Sequence, residues 1–230
     1  MISPKQADMI AHTFQTRGRI VLRKLLPQEI IADLLNLIIA QCEKIYPADH
    51  KPIHTDNPLA SITDPNLFVP IAHALKTSGA LDAILGPISF LRLPTSGRAV
   101  HPNHAEGLGP THQDGGRLTD MDEFLTMWVP LVEIDQDCGG LGFYPTIGLP
   151  TGAIPETGDG IDMGDLVPEG VHMSPGDVLL FHKFMPHVSM PNTSTRIRYS
   201  MDMRFCSALS PRMKKPAIDL QAWKFIPRPN

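Results

Sequence analysis

After Pro27, which stands where a first-turn proline belongs, apolar residues return at helical spacing: Ile31, Leu34, Leu35, Ile38, Cys42 and Ile45. Asp33, Gln41, Glu43 and Lys44 fall off that stripe, so one long amphipathic helix is expected here. Ile30, Leu37 and Ile39 widen the apolar face enough for packing against a sheet as well as a neighbouring helix. A short strand, Arg19–Leu22, precedes it. Leu67–Leu75 reads as a second helix, and Ser78 is placed to cap a third, Gly79–Leu85, which Gly86-Pro87 ends. Residues 1–86 are therefore mostly helical support.

From Ile88 the period changes. Short β-type runs separated by turns are expected at Ile88–Leu93, Arg98–His101, Thr111–Asp114, Phe124–Val132, Leu141–Tyr144, Gly170–Met173, Val178–His182, His187–Met190 and Arg196–Phe205. Most of the 23 prolines and 18 glycines punctuate this half. Many short strands at fairly even spacing fit a sandwich or closed barrel, of which a jelly roll is one form. The last run alternates Arg196, Arg198, Ser200, Asp202 and Arg204 on one face with Ile197, Tyr199, Met201, Met203 and Phe205 on the other. If Arg198 meets a ligand, the polar face turns inward and the apolar face packs under the helices. The organisation expected is one domain over 1–230: helical support to 86, a β core over 87–206, and a C-terminal extension over 207–230.

Composition narrows the function. A net charge of −4 gives no basic face for nucleic acid. Three cysteines, Cys42, Cys138 and Cys206, lack CxxC spacing, which argues against a disulfide framework or zinc knuckle. No apolar run reaches 18 residues and the first residues lack an apolar leader, so no membrane is expected and the reducing cytoplasm is the default setting. Oligomeric state is not legible.

The chemistry lies in His112-Gln113-Asp114 and, far downstream, His187. A His-x-Asp pair on a strand directs an imidazole and a carboxylate to one side. One distant histidine completes two neutral nitrogens and one anionic oxygen, the facial set used by non-haem Fe(II) oxygenases. Arg198, eleven residues after His187, offers a fork for the far carboxylate of a dicarboxylic acid. His101 and His104 are expected near the entrance or in loop hydrogen bonds, His182 as structural, and Arg196 in solvent. Arg204 and Asp202 lie two apart on one face and can pair. Otherwise Arg204, ~20 Å beyond Arg198 at ~3.3 Å per residue, would receive a substrate anion.

These motifs, in this order and spacing, resemble the phytanoyl-CoA dioxygenase-like family of Fe(II)/2-oxoglutarate-dependent oxygenases. The resemblance covers about residues 100–206 and adds Trp128-Val129-Pro130-Leu131-Val132-Glu133, the lead-in Pro175-Gly176-Asp177-Val178-Leu179-Leu180-Phe181, and Pro191-Asn192-Thr193-Ser194. It implies a double-stranded β-helix (a cupin-like jelly roll) against a helical layer. It also implies that His112, Asp114 and His187 bind Fe(II), and that Arg198 holds the 2-oxoglutarate C5 carboxylate with help from Ser189. Trp128 would lie against the co-substrate and Thr126 would add a hydrogen bond. The implied reaction uses O2, releases succinate and CO2, and oxidises a small molecule. Two departures stand out: Asp137-Cys138-Gly139-Gly140 replaces the usual Asn-Gly, and Pro145-Thr146-Ile147-Gly148 lacks the usual histidine, which bears on the entrance and substrate choice. The rivals are a halogenase, against which Asp114 argues, a cupin-type isomerase or metal-binding protein, which has no use for Arg198, and a catalytically silent member.

Overall fold

The computed structural model describes residues 2–45, 60–62, 65–102, 109–146 and 148–227. Ser3 opens α1 (Pro4–Arg17): its hydroxyl accepts from the Gln6 amide while the Gln6 side chain returns a bond to the Ser3 amide, and Pro4 stands at the first helical position. After β1 (Arg19–Leu22) comes α2 (Gln28–Ile45), with Ile31, Leu34 and Ile38 buried and Leu37 exposed. The apolar face is thus narrower than Leu37 suggested. The side chains of Gln41–Ile45, and hence the Cys42 and Ile45 end of the stripe, lie outside the described residues, as do His104 and Ile147. Beyond β2 (Ala60–Ile62), α3 (Pro65–Ser78) and α4 (Ala80–Leu85) complete the helical layer.

The β half follows: β3 (Phe90–Val100), the one-turn α5 (Asp114–Arg117), β4 (Phe124–Pro130), β5 (Leu141–Phe143), β6 (Glu169–Gly170), β7 (Val178–His182), β8 (His187–Ser189) and β9 (Arg198–Cys206). Two expected strands, Ile88–Leu93 and Arg98–His101, are one continuous strand, β3, whose register against β9 shifts between Arg92 and Ser96. The shift absorbs the Pro94-containing stretch that reads as a break in sequence. The extension contributes β10 (Ala217–Asp219) and β11 (Lys224–Ile226), which pair with each other, β10 also pairing with β3.

Among the described residues, eight strands form the larger sheet, ordered β1-β7-β4-β9-β3-β10-β11 with β2 also on β3, and three form the smaller, β6-β5-β8. A single bridge, His112 to His187, adds the metal-motif segment to the smaller sheet's edge. The jelly-roll expectation holds with one correction: the described strands do not close a barrel. The helices cover the outer face of the large sheet, where Ile10, Phe14, Ile31, Phe68, Leu75 and Leu81 meet Met127, Leu180, Met201, Met203 and Phe205 in one cluster. The inner face carries Trp128, Leu179 and Phe181 against Leu141 and Phe143 of the small sheet. Both faces of β7 are therefore covered, which is why its apolar run shows no alternation. In β9 the polar residues face inward: Arg198, Ser200 and Asp202 are buried, as expected if the strand serves a ligand.

Candidate metal centre

His112, Asp114 and His187 each turn one donor atom into a common space, all within 4.8 Å of one another. The strand expected at Thr111–Asp114 shrinks to the one bridge at His112, because Asp114 already begins α5. Gln113 between them is extended, φ −119° and ψ 130°, so the two-residue alternation survives locally. Gly115 makes the approach possible. Its amide donates to Lys183 O at 2.8 Å, and a Cβ there would lie 2.6 Å from the Phe184 ring. This close packing draws the Asp114 segment against the turn that leads into His187.

Each imidazole is oriented by the backbone. His112 Nδ1 donates to Pro110 O at 3.0 Å and His187 Nδ1 to Met185 O at 2.9 Å. A carbonyl only accepts, so both protons sit on Nδ1 and each Nε2 lone pair is free to bind a cation. Burial pushes the His112 pKa down to about 4, helped by His187, and burial also lowers His187. Burial alone would raise the Asp114 carboxyl, but Arg204, the two histidines and the Thr126 hydroxyl outweigh it and hold it well below the usual range. Two neutral imidazoles and a carboxylate suit a divalent transition metal, so the residues fit the expected iron.

Beside the triad opens a cavity of about 260 Å³ whose wall includes Trp128, Ser189, Arg198 and Arg98. Arg198 is the unusual member. It is 1% exposed, its Nη1 donates to Gly140 O at 3.1 Å and Met190 O at 3.2 Å, and its Nη2 lies 3.5 Å from Ser189 Oγ. Its Nε has no partner, and among the described residues no carboxylate pairs with it. Burial accordingly lowers its pKa to about 10. The Asn192 side chain sets the strand up by donating to Val100 O at 3.0 Å and Arg196 O at 2.7 Å. The Asp137–Gly140 turn closes over Arg198. Gly139 there has φ 62°, and a Cβ would fall 2.2 Å from Pro191 O, so the turn needs glycine. Arg196, as expected, points outward, pairing with Asp135 at 2.6 Å in solvent.

Arg204 carries two expectations, pairing with Asp202 or receiving a substrate anion. It lines the same cavity as Arg198 and is held by two carboxylates, Nη1 on Asp202 Oδ2 and Nη2 on Asp114 Oδ2 at 3.3 Å. Of the two expectations for this side chain, the geometry therefore favours the structural pair over the substrate contact. Thr126 lines the cavity too, but its hydroxyl donates to Asp114 Oδ2. Sequence reasoning did not single out Arg98, whose Nε donates to Asp202 Oδ1 at 2.8 Å, or Gln113. The buried Gln113 amide holds the Phe184 carbonyl, Gly152 O and the Ile154 amide, clasping the 148–168 loop to the metal motif. The altered turn lies elsewhere: Pro145 and Thr146 line another cavity of about 430 Å³ with Arg19 and Met185.

The family model for phytanoyl-CoA dioxygenase (PhyH) matches residues 14–200. The chain belongs to the phytanoyl-CoA dioxygenase family. Among curated proteins it is 35% identical over 133 residues to the 1-deoxypentalenic acid 11-beta-hydroxylase of Streptomyces arenae, covering 48% of this chain and 46% of that one. The Streptomyces exfoliatus protein of the same name is 32% identical over 139 residues, covering 52% and 47%. The chain thus spans about half the length of the curated relatives it matches. In fold it is similar to the non-heme monooxygenase ThoJ, with a TM-score of 0.71 and 19% identity over 96% of this chain and 88% of that one. The phytanoyl-CoA dioxygenase scaffold is therefore the frame in which the triad and Arg198 are set.

Proposed function

We propose that this chain is an Fe(II)/2-oxoglutarate-dependent dioxygenase that hydroxylates, or otherwise oxidises, a small organic acid. The observation that carries the reading is Arg198, a buried guanidinium with no acidic partner among the described residues, beside a His, Asp, His donor set. A buried cation without a counter-charge is costly. A dicarboxylate co-substrate supplies the missing anion, and the arginine's fork gives it direction.

His112, Asp114 and His187 would hold the iron, and Arg198 with Ser189 would hold the far carboxylate of 2-oxoglutarate. The buried Trp128 would give the co-substrate an apolar wall and exclude water. Thr126 reaches the same site through Asp114. With both groups bound, the site supplies oxidation by O2, the co-substrate leaving as succinate and CO2 while one oxygen atom is delivered to a C–H bond. Of the arginines on the cavity wall, Arg98 and Arg204 are matched by Asp202 and Asp114 and Arg117 pairs with Glu156, so Arg198 alone is left without an acidic partner among the described residues. What supports an organic acid as the substrate is the name of the Streptomyces relatives, an acid hydroxylase. We read the chain as one catalytic domain, the extension serving as extra strands on the large sheet. Two free, buried thiols, Cys138 and Cys206, accord with a cytoplasmic setting.

Succinate release tests the reading. The protein incubated with Fe(II), 2-oxoglutarate and O2 should form succinate, and the rate should rise with the right member of a carboxylic-acid panel. A cupin-type isomerase or metal-binding protein predicts no succinate under any of these conditions, and that result would remove the proposal.

A further inference from the structure

Among the described residues, Asp114 is gripped by one oxygen only. Both the Thr126 hydroxyl and Arg204 Nη2 reach Oδ2, while Oδ1 is left facing His112 Nε2 at 3.7 Å. The two donors are not neighbours by chance. Thr126 on β4 and Arg204 on β9 are direct cross-strand partners in the middle of the large sheet, so their side chains emerge together on the inner face. Arg204 is fixed in turn. Its Nη1 donates to buried Asp202, whose other oxygen takes Arg98 Nε at 2.8 Å. The result is a chain of alternating charge, Arg98, Asp202, Arg204, Asp114, running from the cavity wall to the metal-binding carboxylate.

We propose that Thr126 and Arg204 are positioning residues that occupy Oδ2 of Asp114, so that the carboxylate meets the metal through Oδ1 alone. The proposal rests on the metal reading of the triad. Its physical consequence concerns coordination number. A three-residue facial set leaves half of an octahedron open. A carboxylate that swung to bind through both oxygens would take one of the open positions, which a chelating co-substrate and O2 together require. A hydroxyl and a guanidinium on Oδ2 oppose that swing, and their cross-strand pairing fixes where both donors stand. Outer partners of this kind commonly change metal affinity by about 10–100-fold when removed.

The test uses the metal-free full chain titrated with Co(II), whose visible spectrum reports coordination number, without 2-oxoglutarate. Thr126→Val keeps the side chain's shape and removes only the donor. It should weaken Co(II) binding by about tenfold or more and alter the spectrum at saturating metal, while Thr126→Ser restores both. Arg204→Met should do the same, and the double variant should be little worse than the worse single one, because both donors act on one oxygen. Arg204→Met can unfold the protein by stranding Asp202, in which case the two Thr126 variants decide alone. Wild-type affinity and spectrum in Thr126→Val overturn the proposal. So does a loss that Thr126→Ser fails to restore, or one matched by a fall in the melting temperature of the metal-free protein. Failure of the oxygenase reading would show separately, as wild-type protein that binds Co(II) but forms no succinate.

Discussion

Replacing Arg198 with methionine should separate ligand binding from stability. In the metal-free protein two effects oppose each other. The drop in the Arg198 pKa from the usual arginine value to about 10 places roughly 3 kcal/mol of burial cost on the charged form. Against this, the substitution loses the hydrogen bonds to Gly140 O and Met190 O, each worth about 1.5–3 kcal/mol for a charged donor. Gly140 O keeps the Met190 amide at 2.8 Å, so only the Met190 carbonyl is left short, and the methionine stem fills the volume. Net stability should therefore move by only about 1 kcal/mol, or some 2–4 °C at this size. Co-substrate binding has no such compensation. Removing one partner of a desolvated charge pair costs about 2–5 kcal/mol, which is about 30- to 5,000-fold in Kd. Arg196→Met is the control, since that pair has side chains 45% and 46% exposed and contributes about 0–1 kcal/mol. Calorimetric titration of 2-oxoglutarate into Mn(II)-loaded protein, with melting curves of the metal-free forms, reads both quantities. Equal affinities in the two variants would refute the assignment. So would an Arg198→Met protein that is unfolded when metal-free.

Three further outcomes are expected. His112→Ala, Asp114→Ala and His187→Ala should each lose stoichiometric iron by elemental analysis while keeping the wild-type circular dichroism, and Asp114→Gly should add weak halide binding in the vacated position. His182, whose pKa burial pushes down to about 4, is neutral in the fold but takes a proton when unfolded below about 6.5; stability should therefore fall as pH drops from 6.5 towards 4, and His182→Leu should flatten that part of the denaturation profile. The Cys206 thiol, which burial pushes up to about 12, should resist alkylation in the native protein and react on unfolding, read by peptide mass.

What could be read in advance divides along physical lines. Local periodicity and short-range signals carried the helices after Pro27, the strand Val178–His182, the strand expected at Phe124–Val132, which ends at Pro130, and the inward polar face of β9. The first helix had an equally local signal, Ser3-Pro4-Lys5-Gln6, a capping box with a first-turn proline. The triad and Arg198 were legible because fixed motif spacing stands in for three-dimensional proximity. Register is different. That Thr126 faces Arg204, and that Arg98 reaches Asp202, depends on how β4, β9 and β3 slide past one another, which no single strand encodes. The same limit left open whether Arg204 pairs with Asp202 or receives a substrate, because its second carboxylate, Asp114, comes from another element.

Arg198 and Arg204 show how one strand sets two arginines in opposite electrostatic surroundings. They share the inner face of β9 and a single cavity, and both guanidinium groups are desolvated. Arg204 sits between Asp202 and Asp114, and this neutralisation raises its pKa despite burial. Arg198 meets only carbonyls and a hydroxyl, and burial lowers its pKa. A charge already matched by carboxylates gains little from a further anion, whereas an unmatched one is relieved by it. On the proposed function, an incoming dicarboxylate would go to the Arg198 end of the cavity, while the Arg204 end would hold Asp114 in place. The difference lies in where the acids stand, Asp202 two residues from Arg204 and none beside Arg198 among the described residues, rather than in the arginines themselves.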